Sequence, residues 1–166
     1  MNALTAVSWE ADWAWSLPLI ALSVVIHVFC LGLFTEKVEH AVAMLKDRRR
    51  FRTIFALVMS VAVTVATILH GVEGAIWAAA YWIIGALPDG RSAMLYSLSA
   101  MTSYGHANLF LESRWQLMGA LEALNGMLLF GLSTAFLFAM IQRVWPVGNR
   151  GRVHGDTARR QPVVPS

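Results

Sequence analysis

The chain has 166 residues, 57% of them hydrophobic and 14% charged, with a net charge of +3. A water-soluble core of this length does not need so much apolar surface, so the composition excludes an ordinary soluble domain and indicates a membrane protein. The single Cys30 excludes an intrachain disulfide and, set in an apolar run, reads as a small buried hydrophobe.

Glu10 and Asp12, rather than basic residues, precede the first apolar run, so no cleaved secretory signal is expected. That run, about Ser16 to Phe34, is long enough to cross a hydrocarbon core about 30 Å thick, which needs about 20 helical residues. Its His27 reads as an interhelical hydrogen-bonding group rather than a metal ligand. A basic loop follows, with Lys37, Lys46, Arg48, Arg49, Arg50 and Arg52. Thr53 to Leu87 is then one apolar run broken by His70 and Glu73, and as a single helix it would reach roughly 50 Å. It is expected to be one tilted helix, with Gly71 and Gly74 as candidate kink positions. His70, Glu73, Trp77 and Tyr81 fall on one face of it, and Glu73 can pair with His70 across one turn. Counted from Thr53, this polar pair falls near the outer edge of the hydrocarbon, as a structural contact or a proton-sensing site.

After a turn at Pro88-Asp89-Gly90, the apolar segment Ser92 to Met101 is too short to span and suits a re-entrant helix. A third long run extends from about Trp115 to Ile141, and the Gly-, Pro- and Arg-rich stretch from Pro146 to Ser166 predicts a disordered tail. The basic loop and the tail, with Arg143, Arg150, Arg152, Arg159 and Arg160, belong on the cytoplasmic side, which puts the N-terminus outside and the C-terminus inside. Trp9, Trp13, Trp15, Trp77, Tyr81, Trp82 and Trp115 would then form an outer aromatic belt, with Trp145 at the inner interface. The loop, lying between two spans, is expected to contact anionic lipid rather than nucleic acid.

Between the short segment and the third span stand Thr102, Ser103, Tyr104, Gly105, His106, Ala107 and Asn108. This segment resembles the potassium-channel filter T-T-V-G-Y-G-D: Thr102 and Ser103 match the two threonines, Gly105 the first glycine and Asn108 the aspartate. Tyr104, His106 and Ala107 depart from it. The order of outer helix, pore helix, filter loop and inner helix over Thr53 to Ile141 is similar to the tetrameric potassium-channel pore module. Within it, His70, Glu73, Trp77 and Tyr81, and the stretches Glu122 to Gly126 and Leu129 to Phe136, resemble small bacterial proteins of the two-pore-domain-like group. The resemblance implies an all-α integral membrane protein of three transmembrane helices plus a re-entrant pore helix and filter loop. It implies a homotetramer in the bacterial cytoplasmic membrane that passes monovalent cations, potassium and sodium among them. It divides the chain into 1–52, the first span and basic loop; 53–145, the pore module; and 146–166, the tail.

A filter replaces an ion's hydration shell with closely spaced carbonyls, which requires backbone of alternating hand. Ala107 at positive φ would cost roughly 1–2 kcal/mol in each copy. The outer half of the loop is therefore expected to relax and selectivity to be weak, with His106 in the place of the bracing tyrosine, either as a structural group or as a titrating one. On the third run, Met118, Glu122, Asn125, Leu129, Leu132 and Phe136 share one helical stripe. Facing the axis, it would let Asn125 hydrate ions and Leu132 and Phe136 form an apolar constriction; facing the pore helix, it would let Glu122 brace the filter. Gly126 and Gly131 serve either close packing or a hinge. With no catalytic constellation, phosphate-binding loop or zinc spacing in the chain, neither an enzyme nor a bound cofactor or metal is expected; a nonconducting scaffold or accessory subunit that keeps the pore architecture is the alternative to a channel.

Overall fold

A computed structural model of the chain describes residues 3–43, 51–105 and 109–159, with side-chain environments for 9–40, 53–105 and 109–143. Its elements are α1 (Ala3–Ala43), α2 (Phe51–Ile83), α3 (Gly90–Met101) and α4 (Gln116–Arg159), with a 3-10 turn at Ser113–Trp115. No strand occurs among the described residues. The segments Trp9–His40, Thr53–Ile83 and Ser113–Arg143 are each long and apolar enough to cross a membrane. All exceed the roughly 20 residues of an upright crossing, so each must tilt or project beyond the hydrocarbon. The chain is thus an all-α membrane protein in which a 12-residue helix, too short to span, stands between the second and third long ones.

α1 and α4 lie side by side and run in the same direction. Near the start of α1, the buried Asp12 carboxyl faces the Met118 N–H in the first turn of α4, beside the donors that a helix N-terminus leaves free. Further along, His27 meets Ser133, and at the far end Glu39 pairs with Arg143. That last pair is exposed and is worth at most about 1 kcal/mol. α2 runs against both. Leu19 and Ile20 of α1 pack on the cluster that holds Trp77 and Tyr81, while Phe34 and Val38 meet Phe55, Val58 and Met59 near the start of α2.

α3 begins and ends on recognisable local chemistry. Asp89 caps it, accepting from the Ser92 N–H at 2.9 Å and the Ser92 hydroxyl at 2.8 Å, and these bonds hold its exposed carboxyl below the usual carboxylate range. At the other end Ser103 takes φ 55°, while the Tyr104 N–H reaches the Ser99 carbonyl at 3.0 Å and the Ser103 N–H the Ala100 carbonyl at 3.1 Å. This is a Schellman closure with serine where glycine usually stands. α3 is pressed closely onto α4: a Cβ on Gly126 would fall 2.7 Å from the Met101 Cα, so only glycine lets the backbones approach this far.

Several expectations change. Trp77 and Tyr81 are fully buried within the chain, packed with Leu87, Ala93, Leu111 and Met118, because the α2 face that carries them points at α3 and α4; they are core and not belt, whereas Trp9 and Trp82 are exposed. His70 and Glu73 lie past the midpoint of the apolar span Thr53–Ile83. α2 is one continuous helix through Gly71 and Gly74. α4 is helical as far as Arg159, an existing helix needing no new nucleus to extend. Residues 160–166, and with them Arg160, lie outside the described residues, as do 44–50 with Lys46, Arg48, Arg49 and Arg50.

Candidate functional site

The loop that follows α3 is described from Thr102 to Gly105; His106, Ala107 and Asn108 lie outside the described residues. Thr102 bonds through both its N–H and its hydroxyl to the Leu98 carbonyl, at 3.1 and 2.7 Å. The N–H groups of Ser103, Tyr104 and Gly105 likewise turn back onto the Ala100 and Ser99 carbonyls. Positive φ occurs at Ser103 (55°) and again at Gly105 (71°), with Tyr104 between them outside that region. A left-handed serine costs roughly 1–2 kcal/mol, which the two Schellman hydrogen bonds help to offset. Tyr104 projects outward, 81% exposed.

Behind the loop lies a buried polar brace joining α2, α3 and α4. Tyr81 donates to a Glu122 oxygen at 2.8 Å, and Ser97 of α3 contacts the other Glu122 oxygen and the Gly74 carbonyl, the latter at 2.7 Å. Ser97 has a single hydroxyl proton for two acceptors. The network closes when a carboxyl proton on Glu122 is donated to Ser97, which then donates to Gly74. Tyr96 packs edge-on against Tyr81, 5.4 Å between ring centres, and its hydroxyl sits where a Cβ on Gly119 would be.

The α4 stripe faces its own chain over most of its length. Met118, Glu122, Asn125 and Leu129 are fully buried, Leu132 is exposed, and Phe136 packs edge-on against Phe34 of α1. Asn125 therefore lies inside the helix packing, and neither of its amide atoms has a hydrogen-bond partner among the described residues. Gly126 serves close packing, and a Cβ on Gly131 would meet nothing within 4 Å.

A second polar cluster sits where α1, α2 and α4 converge. His27 Nδ1 lies 2.8 Å from Glu73 Oε1, and His70 Nδ1 lies 3.3 Å from Glu73 Oε2. Both Nε2 atoms approach the Ser133 hydroxyl, at 3.0 and 3.1 Å. His27 and Glu73 are wholly buried and His70 nearly so, stacked on Phe130 at 4.3 Å. The sequence pairs His70 with Glu73, but not His27 or Ser133 with either. Helical periodicity names the residues that share a face and is silent on what that face meets; the available signal was three ionisable groups at similar depth in two spans.

Fold and sites together define a small helical membrane protein with two buried polar clusters, one joining α2, α3 and α4 and one where α1, α2 and α4 converge. Compared with known proteins, the chain matches no family model, no curated protein and no solved structure.

Proposed function

We propose that the chain is the subunit of a homotetrameric cation channel of potassium-channel type, with a nonstandard, weakly selective filter. α2 would be the outer helix, α3 the re-entrant pore helix, Thr102 to Asn108 the filter and α4 the inner helix, in a bacterial cytoplasmic membrane with the N-terminus outside. The observation that carries the reading is the loop after α3. Its amides are turned back onto the helix and its alternate residues Ser103 and Gly105 take left-handed backbone, the alternation of hand that a carbonyl filter uses. The Glu122 brace supports it, fixing α3 to both flanking spans. Exposed apolar residues on α4, among them Leu124, Met127 and Leu128, supply a surface for neighbouring copies or lipid.

The burial of Asn125 and Leu129 favours a second reading, a nonconducting scaffold, because these residues then leave the axis to apolar side chains. Flux of potassium, sodium and protons, measured one ion at a time with purified protein in liposomes, separates the two. A cation flux above that of empty liposomes and of a Gly105→Pro variant is expected; its absence from assembled tetramers would favour the scaffold.

A further inference from the structure

We propose that His27, His70 and Glu73 form an intramembrane site for a divalent transition-metal ion of the zinc class, with Ser133 orienting both imidazoles. The site does not depend on the pore reading. Three helices bring the donors together: α1 gives His27, α2 gives His70 and Glu73 one turn apart, and one ligand atom from each lies within 4.8 Å of the others. Two imidazoles and one carboxylate suit zinc and its neighbours in the transition series, whereas magnesium and calcium take oxygen ligands. Ligands about 2.0–2.1 Å from a tetrahedral ion stand roughly 3.4 Å apart. The ring-to-carboxylate spacings of 2.8 and 3.3 Å therefore need only a small opening.

Two enclosed atoms without a hydrogen bond, His70 Nδ1 and Glu73 Oε2, supply the argument for a metal over a plain interhelical staple. A staple is complete with Glu73, His27 and Ser133, which already tie α2, α1 and α4 together. The second histidine is surplus to that, and it leaves the hydrogen-bond count open. Ser133 can donate to one ring nitrogen and accept from the other, but His70 Nδ1 and Glu73 Oε2, both enclosed, make no hydrogen bond despite their proximity. A metal ion held through both Nδ1 atoms and Glu73 gives these two atoms a partner. Each ring then carries its proton on Nε2, and the two lone pairs of the Ser133 oxygen accept both N–H groups. Such a partner to metal-bound histidine fixes the tautomer and the ring orientation. Glu73 neutralises one of the ion's two charges, and a hydroxide entering beside His70, the one ligand with residual exposure at 13%, would neutralise the other.

The test uses the full chain without a polyhistidine tag, in lipid nanodiscs. Equilibrium dialysis against Zn²⁺ should load one ion per chain, and Co²⁺ in its place should give the intense visible absorption of four-coordinate cobalt. His27→Gln and Glu73→Gln should each abolish loading, His40→Ala should leave it intact, and Ser133→Ala should weaken it about 10–100-fold while keeping the ligands. Substoichiometric Zn²⁺, or a weak six-coordinate cobalt spectrum, in the unmodified protein would overturn the proposal whether or not the variants fold. Full loading of a His27→Gln/His70→Gln double variant would overturn it equally.

Discussion

At Glu122 the hydrogen-bond count makes a sharp distinction between two substitutions. Glutamine offers a carbonyl to Tyr81 and an N–H to Ser97, as the neutral acid does, so Glu122→Gln should leave thermal stability nearly unchanged. Glu122→Ala strands the Tyr81 hydroxyl in the interior at about 1–3 kcal/mol, leaves Ser97 only its bond to the Gly74 carbonyl and opens a cavity, and should lower the unfolding temperature by several degrees or more in a detergent melt. Equal effects of the two would remove the carboxyl proton from the account. Gly126 is the other sensitive position. An added methyl runs into the backbone at Met101, which cannot swing aside as a side chain would, so Gly126→Ala should destabilise by about 1–3 kcal/mol. The same melt checks it, with Gly131→Ala, where nothing lies within 4 Å, as the control that should stay near the unmodified value.

α3 was the element best announced by its sequence: Pro88, Asp89 and Gly90 mark its start, and the helix begins at Gly90 on an Asp89 cap. Because Ser92 holds the Asp89 carboxyl below its ordinary range, the cap is fully made above pH of about 4, the value of a free aspartate, and is lost as pH falls through the lowered value. The Ser92 amide resonance should therefore keep its capped position at pH 5 and move only as pH falls below about 4, and Asp89→Ala should remove this titration. The loop after α3 was legible as a glycine-containing turn but not as a Schellman closure, since serine at a left-handed position carries no sequence signal of its own. The stretch after Pro146 carries the opposite kind of signal. Glycine and proline content weighs against starting a helix, and α4 arrives there already formed. If the loop lies as proposed, restoring His106→Tyr and Ala107→Gly together should raise potassium preference over sodium in liposome flux, and Ala107→Gly alone should do less. No change in the double variant would mean that selection does not reside in this loop.

For the whole molecule, the spans followed directly from apolar run length, and so did their number. Their mutual arrangement did not, because nothing in a run of leucines and valines states its neighbour; the Asp12, His27 and Glu39 contacts that set α1 parallel to α4 are three single residues in separate stretches. Stoichiometry is likewise outside one chain's sequence except through the filter resemblance. Four copies are expected by native mass spectrometry from a membrane mimetic. A dimer or trimer as the sole species would remove the channel reading, and a pentamer would keep a pore while discarding the four-fold filter.

The contacts between α1 and α4 also bear on how the protein is made. A ribosome delivers α1 first and α4 last, yet Asp12 comes to face the Met118 N–H, and His27 finds one of its two partners at Ser133. Until the final span enters, the first sits in lipid with an acid lacking its helix terminus and a histidine only half satisfied. A chain interrupted before α4 is thus marked by its own unmatched polar groups, and membrane quality control has something to recognise in the fragment that the finished protein no longer displays.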